Sequence, residues 1–556
     1  MRTYEALAIA CRDAGVSVAF GLVGDGNVKF ADHLARELGV RYLAARHESA
    51  AITMASGYAR ASGEVGFATV TQGPGLTNTI TALTAAAKAC LPMVLFAGLP
   101  PTTLPGHPQR IDQEALLAVA GAGHHVLRPE RLESDVATAF ERARTERRPI
   151  GIFLPTDVQD AALPPQVDAT PSVVPPQSSA TVSGPLAEVA ERLVSAQRPI
   201  LLAGRGCLAS TGAREELMAL ADELGALLST TLPIRGYFHD HSFSIGVMGG
   251  YSSEIATEQA EQADVVVAFG ASLNYRATRS GQLFREDVTV IQVDRDPAPQ
   301  GASVPVDLAL TGDAASVAAA LRKAVASRVP AARVRSEELA ARLAARPAPP
   351  SRPPTNGHQP GSDVVDPRAL MQALDQVLPD PRSVTVDGGH SSGFPSIHLR
   401  VPDHHGYLFA LEFAAIGLGI GTAIGAAVAR PDRLSVLVVG DGSLLMSLPE
   451  LETAVREGIR LLVVVMNDEA YGSELVILDN GDLPHDLGLL ATPSFEQVAT
   501  ALGAAGATVR SVEALQALTP AIERLDGPLV IDARIDRTVR GGWLKGAFNR
   551  SLAVRA

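Results

Sequence analysis

The sequence predicts an α/β protein of three doubly wound domains, each built on a parallel sheet. Three observations carry this. Short continuous apolar runs alternate with helical patterns along the whole chain. Two Pro-rich segments divide it into parts of ordinary domain size. Its 556 residues are also too many for one hydrophobic core.

An apolar run without alternation belongs to a strand covered on both faces, as in a parallel sheet flanked by helices. The first part has such runs at 18–22, 66–70, 93–98 and 151–154. The second has them at 200–204, 265–270 and 288–293, and the third at 384–387, 434–440, 461–466 and 529–532. The segments 163–185 and 345–363, rich in Pro, read as linkers. The expected domains are therefore 1–165, 185–345 and 363–540, with a tail at 541–556. Ligands on such sheets sit beyond the carboxyl ends of strands.

Hydrophobic residues make up 46% and charged residues 19%, the balance of a folded globular protein. A net charge of −13 argues against nucleic-acid or anionic-membrane partners and leaves small molecules. Cys11, Cys90 and Cys207 are too scattered for a disulfide framework or a metal cluster. The first residues, Met1-Arg2-Thr3-Tyr4-Glu5, lack the apolar core of a signal peptide, so the expected location is cytoplasmic. The apolar stretch 411–428 carries Glu412 and several glycines, and reads as a buried helix rather than a membrane span.

In the third part, one strand run ends in Gly440-Asp441-Gly442-Ser443. Another ends in Asn467-Asp468-Glu469-Ala470-Tyr471-Gly472, with a helical pattern over 444–457 between them. If the strands are neighbours, Asp441 and Asp468 reach one small volume. Mg2+ prefers hard oxygen ligands and commonly takes one or two carboxylates together with phosphate oxygens and water. Gly440 and Gly442 let backbone approach a phosphate, and Ser443 opens a helix whose amides suit an anion. Gly-Asp-Gly alone is common turn chemistry; the second strand-end acid makes the pattern specific.

In the first part, Ala45-Arg46-His47-Glu48-Ser49-Ala50-Ala51 leads into a helical pattern. After the run 66–70 comes Thr71-Gln72-Gly73-Pro74-Gly75-Leu76-Thr77-Asn78. An acid in the first helical turn is also favoured by the helix dipole, so Glu48 has an ordinary explanation too.

Together these patterns resemble the signature of thiamine-diphosphate-dependent enzymes. Gly440-Asp441-Gly442 is followed, 27 residues after Asp441, by Asp468 and then Glu-Ala-Tyr-Gly. His-Glu-x-x-Ala precedes Thr-x-Gly-Pro-Gly-x-Thr-Asn. The resemblance covers nearly the whole chain and implies the three-domain, pyruvate-oxidase-type architecture: pyrimidine-binding, middle and diphosphate-binding domains. It implies thiamine diphosphate and Mg2+ as cofactors, with Asp441, Asp468 and the Ala470 carbonyl as metal ligands. Asp468 stands where Asn is usual, which keeps the oxygen and adds a charge. Glu48 would bind the aminopyrimidine N1′, and burial would hold the shared proton in place.

Around the coenzyme the resemblance places Gly73, Asn78, Gly389, His390, Ser391, Gly440, Gly442, Ser443, Tyr471 and Gly472. Ala414 would offer its carbonyl to the 4′-amino group, and Ile416 would stand between the two rings. Family members are homodimers or homotetramers in which Glu48 of one subunit would meet the diphosphate site of another.

The implied reaction is acetolactate-synthase-like carboligation. A 2-oxo acid loses carbon dioxide, and the enamine formed attacks a second carbonyl compound. A non-ligating 2-oxo acid decarboxylase or a C–C lyase of the same family is the alternative. Asp25 aligns with the catalytic Asp of decarboxylases such as pyruvate decarboxylase. Their His-His pair has no match, because His124-His125 lies too far along and reads as loop or capping residues. Gln113, in Ile111-Asp112-Gln113-Glu114, resembles the region where a Gln lines the acetolactate synthase site, with Asp112 replacing the usual Phe. Gln72 occupies a position where Ser or Ala is more usual. Asp25, Gln72 and Gln113 are thus candidate catalytic residues of a polar pocket.

In the middle part Gly204-x-Gly206-x-x-Ala209 fits a loose dinucleotide fingerprint, but no acid follows the next strand region, 227–231. A lone fingerprint is weak, so FAD stays a secondary reading. Two other classes remain: a cofactor-binding homologue without turnover, which Glu48 argues against, and a flavin or nicotinamide oxidoreductase. The single Trp, Trp543, lies in 540–545, which reads as a lid or as a tail packed on a neighbour.

Overall fold

Each part of the chain forms one six-stranded sheet, and every strand pair in register is parallel. The computed structural model describes residues 1–167, 182–296, 303–345 and 363–543. Most of both expected linkers, and the tail after Trp543, lie outside these residues.

The first sheet holds β1 (Val18–Gly21), β2 (Arg41–Ala44), β3 (Gly66–Val70), β4 (Met93–Leu99), β5 (Gly123–Val126) and β6 (Pro149–Pro155). The second holds β7 (Pro199–Ala203), β8 (Leu227–Thr230), β9 (Ser244–Val247), β10 (Val265–Phe269), β11 (Thr289–Asp294) and β12 (Leu308–Thr311). The third holds β13 (Arg382–Val386), β14 (Tyr407–Phe409), β15 (Leu434–Gly440), β16 (Leu461–Asn467), β17 (Ala505–Val509) and β18 (Leu529–Arg534).

The spatial order of the first sheet is β2-β1-β3-β4-β6-β5, and the third repeats it as β14-β13-β15-β16-β18-β17. The middle sheet runs β12-β11-β10-β7-β8-β9, the order of a dinucleotide-binding doubly wound fold. Strand order therefore reverses between β1 and β3, β7 and β10, and β13 and β15. These switch points open crevices at the carboxyl ends of the strands.

Helix α1 (Glu48–Ser62) follows β2, and helix α2 (Gly419–Ala429) occupies the equivalent place after β14. His47 caps α1 by accepting the Ser49 N–H, and Gly63 ends it at φ +82°. The two helices pack directly on each other within one apolar core that unites the outer domains. A Cβ on Gly57 would lie 2.0 Å from the Thr422 carbonyl oxygen, and one on Gly425 1.9 Å from that of Met54. Glycine inside a helix costs about 1 kcal/mol against alanine, a cost offset here by the close approach.

The pattern over 444–457 is not one helix. It divides into α3 (Asp441–Met446) and α4 (Glu450–Arg456), with Pro449 between them. Proline has no N–H to continue the ladder and its ring crowds the preceding turn. His124 and His125 are not loop residues: both lie in edge strand β5, where pairing with β6 holds them extended. Among the described residues no helix is long and apolar enough to cross a membrane.

Candidate active site

The third domain's switch point is built around a buried acid that the motifs did not single out. Asp387, at the end of β13, is 1% exposed. One oxygen accepts from Gly388 N at 2.7 Å. The other accepts from Gly417 N at 3.1 Å, Gly419 N at 2.9 Å and the Ser443 hydroxyl at 2.6 Å. Burial pushes this carboxyl above its usual range and the hydrogen bonds oppose that shift. Asp387 thus ties together the loop after β13, the entry to α2 and the start of α3. Ser443 spends its hydroxyl here, so its N–H is what remains for an anion.

These loops enclose a cavity lined by 388–391, Ile416, 440–443, Met466, Asp468 and 470–474. Gly389, His390, Ser391, Ile416, Gly440, Asp441, Gly442, Ser443, Asp468, Ala470, Tyr471 and Gly472 therefore share one wall. Ala414 lies just outside it, exposed, in the left-handed region at φ +58°. Asn467, buried, donates to Asp532 and accepts from Glu469 N, while Glu469 sits at φ +53°. A non-glycine residue in this region is strained, and such strain persists where surrounding contacts over-determine it. Tyr471 N donates to Gly488 O and Leu490 N to Glu469 O, bracing the 467–472 loop from its far side.

Asp441 is 1% and Asp468 6% exposed. Burial, then the charge of Asp468, pushes the Asp441 pKa up to about 7. Its Oδ2 is buried without a hydrogen-bond partner. A divalent cation relieves both conditions, so the donor set fits one. Among the described residues no three His, Cys, Asp or Glu side chains gather as a metal cluster. Two carboxylates and the Ala470 carbonyl could be the chain's share of such a site, leaving positions for diphosphate and water, a set that would suit Mg2+. His390 Nδ1 stands 3.5 Å from Asp468 Oδ2 without hydrogen-bond geometry.

At the first domain's switch point, Glu48 Oε2 accepts from Asn78 Nδ2 at 2.9 Å. Glu48 is only partly buried, and no first-domain residue lines the cavity. The expected burial of Glu48 is therefore not supplied within one chain, because no wall of its own chain closes over the acid. Gln72 is fully buried and donates to Gln109 Oε1 at 2.8 Å and to Asp25 Oδ2 at 3.4 Å. Gln109, absent from the sequence reading, completes this polar group; its Gln-Arg-Ile surroundings carry no motif. Asp25 is exposed.

Gln113 stands apart from that group. Its carbonyl oxygen accepts from Gly73 N and its amide donates to Gly98 O, so both ends brace backbone. Gly73 itself is at φ +60°. Asp112, in place of the expected Phe, caps the following helix by accepting from Ala115 N.

The middle domain's glycine loop is occupied by its own chain. Gly206 N donates to Gly270 O, and a Cβ on Gly204 would lie 2.3 Å from that oxygen. Arg205–Ala209 is a 3₁₀ turn, and the α-helix starts only at Ala213. Trp543 packs on its own chain, its ring centroid 4.8 Å from Phe394, 6.2 Å from Tyr251 and 6.4 Å from His390.

Three family models match the chain in order. They are the thiamine pyrophosphate enzyme N-terminal TPP binding domain over 1–116, central domain over 186–321 and C-terminal TPP binding domain over 387–533. The acetolactate synthase large subunit of Parasynechococcus marenigrum (strain WH8102) is 30% identical over 553 residues, covering 96% of this chain and 87% of its own. The acetolactate synthase isozyme 2 large subunit of Escherichia coli (strain K12) is 28% identical over 555 residues, covering 95% and 94%. The sulfoacetaldehyde acetyltransferase of Alcaligenes xylosoxydans xylosoxydans is 28% identical over 550 residues, covering 92% and 89%. With three domains in family order and full-length relatives, the chain belongs to the thiamine-diphosphate-dependent enzymes and is an acetolactate-synthase-like member of them.

Proposed function

We propose that the chain is a thiamine-diphosphate- and Mg2+-dependent carboligase of the acetolactate-synthase kind. It would take a 2-oxo acid as donor and join the acyl carbon left after decarboxylation to a second carbonyl compound. One observation carries this reading: two incomplete half-sites stand at equivalent switch points. The third domain has a cavity lined by two buried carboxylates and glycine-rich backbone, suited to a metal-bound diphosphate, with no first-domain acid on it. The first has a partly exposed acid with no cradle.

When bound, the coenzyme supplies a nucleophilic carbon and an electron sink. The chain's residues do the rest. Asp441, Asp468 and the Ala470 carbonyl would hold Mg2+, and the backbone around Gly389 and Gly442–Ser443 would receive the diphosphate. Ile416, which lines the same cavity, would pack against the coenzyme. Glu48 holds a proton at the aminopyrimidine N1′. Gln72, Gln109 and Asp25 form a polar wall that orients carbonyl or carboxylate oxygens of the substrate.

Two copies related by a two-fold axis would bring Glu48 of one to the cavity of the other, giving a homodimer or a homotetramer. Exposed apolar residues beside the cavity support this: Met446 is 62% exposed, Ile477 44% and Leu487 84%.

A second reading, a non-ligating decarboxylase or C–C lyase, is favoured by one observation. A relative named for a different activity, sulfoacetaldehyde acetyltransferase, is as similar to this chain as an acetolactate synthase is, so similarity alone does not single out carboligation. Incubation with pyruvate, with and without a second carbonyl acceptor, separates them. A ligated hydroxy-ketone or hydroxy-oxo-acid product is expected; free aldehyde alone would overturn carboligation and favour the second reading.

A further inference from the structure

We propose that Glu450 is a positioning residue that aims Glu48, so that the third domain governs the acid carried by the first. This rests on the reading of Glu48 as the group that meets the aminopyrimidine.

Glu450 opens α4 and is 1% exposed. Its Oε1 accepts the backbone N–H groups of Arg46 and His47, each at 3.0 Å. Its Oε2 accepts the Thr453 hydroxyl at 2.9 Å and lies 3.3 Å from Arg46 N. Those two peptides immediately precede Glu48, and His47 is the cap of the helix that Glu48 begins. Two backbone N–H groups converge here on one buried oxygen, and leaving such buried donors without a partner is costly.

The rest of α4 holds the same neck. Glu452 pairs with the Arg46 guanidinium at 2.5 Å, and Arg456 donates to the Ala44 carbonyl. The segment 44–47 is thus fixed by the third domain along more than one turn of α4. No part of this serves the diphosphate cavity, which Glu450 does not line.

The same segment of chain carries a metal ligand. α3 begins at Asp441 and reaches α4 across Pro449. One chain's metal loop and its own acid are therefore mechanically joined. If Glu48 serves the partner's coenzyme, Glu450 acts on the partner's site, not on its own.

The test uses the full chain with thiamine diphosphate and Mg2+, and without substrate. Proton–deuterium exchange at the coenzyme's C2 reports what Glu48 does. Glu450→Ala should slow this exchange about 10- to 100-fold, because misplacement by about 1 Å costs on that order. Coenzyme affinity should stay within about threefold and the oligomeric state should not change, since Glu450 does not line the cavity and distant sites act independently. Glu450→Gln should restore most of the rate, because an amide oxygen can still face both N–H groups. In the coenzyme-free chain, the peptide holding the Arg46 and His47 amides should exchange hydrogen faster in Glu450→Ala.

Unchanged C2 exchange, or a loss that merely follows weaker coenzyme binding, overturns the proposal. If Glu450→Ala does not fold, Glu450→Asp carries the same test, since it keeps the carboxyl group and withdraws the acceptor by one methylene. A Glu48→Gln control separates the two claims. If it exchanges normally, the reading of Glu48 falls and this proposal with it; if it is slow while Glu450→Ala is normal, only this proposal falls.

Discussion

The first and third domains thread six strands in the same order, and each carries its candidate site residues in corresponding loops. After the second strand come Glu48 in one and Ala414–Ile416 in the other. After the third come Gln72–Asn78 and Gly440–Ser443, and after the first come Asp25 and Gly388–Ser391. The two differ in what those loops enclose. In the third domain they converge on a cavity with two buried carboxylates. In the first they present an acid that remains partly open to solvent. The switch point supplies a crevice in both, and the loop residues decide what the crevice holds. The middle domain makes the same point in reverse, because its switch loop is filled by contact with Gly270.

The sharpest test of this division is Glu48→Gln. Turnover should fall about 10²- to 10⁴-fold, the range for losing a general acid–base group. Mg2+-dependent coenzyme binding, measured by calorimetry, should hold within a few-fold. Normal turnover would break the assignment of the head group to the first domain.

Asp441→Asn should do the opposite. Mg2+ affinity, read by titration calorimetry, should drop by about 100-fold, since even outer partners of metal ligands are worth about 10- to 100-fold. Undiminished Mg2+ binding would move the metal out of the third domain.

A pH series sharpens the electrostatic side. The Asp441 pKa is raised from 3.8 to about 7. A raised acid stabilises the coenzyme-free fold fully below pH 3.8, and that contribution is lost as pH rises through about 7. Mg2+ must displace the proton, so its affinity should rise about tenfold from pH 6 to pH 8 and then level off. A flat profile would mean that the two carboxylates do not share the cation.

The smallest expected effect concerns the contact between the two domains. Gly57→Ala places a methyl 2.0 Å from the Thr422 carbonyl and should lower stability by about 1–3 kcal/mol, read from denaturant unfolding. Glu48 chemistry should then suffer only through the helix that carries it.

The coenzyme site was legible where chemistry demands particular residue types at strand ends. Asp441, Asp468 and the adjoining glycines could be read so, and they do line one cavity. Gln113 could not, because a buried amide that braces Gly73 N and Gly98 O looks in sequence like one that faces a substrate. Asp387, Gln109 and Glu450 carried no signal at all. Each acts through partners distant in sequence, as Glu450 does with Arg46, 404 positions away.

The strands divide in the same way. The interior strands other than β8 were visible as apolar runs, since a strand covered on both faces admits few polar side chains, whereas β8 carries Ser229 and Thr230 and gave no such run. The edge strands β2, β5, β9, β12 and β17 are partly exposed and mix polar with apolar residues, while β14 is only three residues long. The sequence alone therefore determined the fold class, most of the sheet interiors and the paired strand-end acids, because burial and metal chemistry each restrict residue type locally. Only the tertiary structure decided the edges, the strand order and the residues that aim Glu48, because those depend on which distant segments meet.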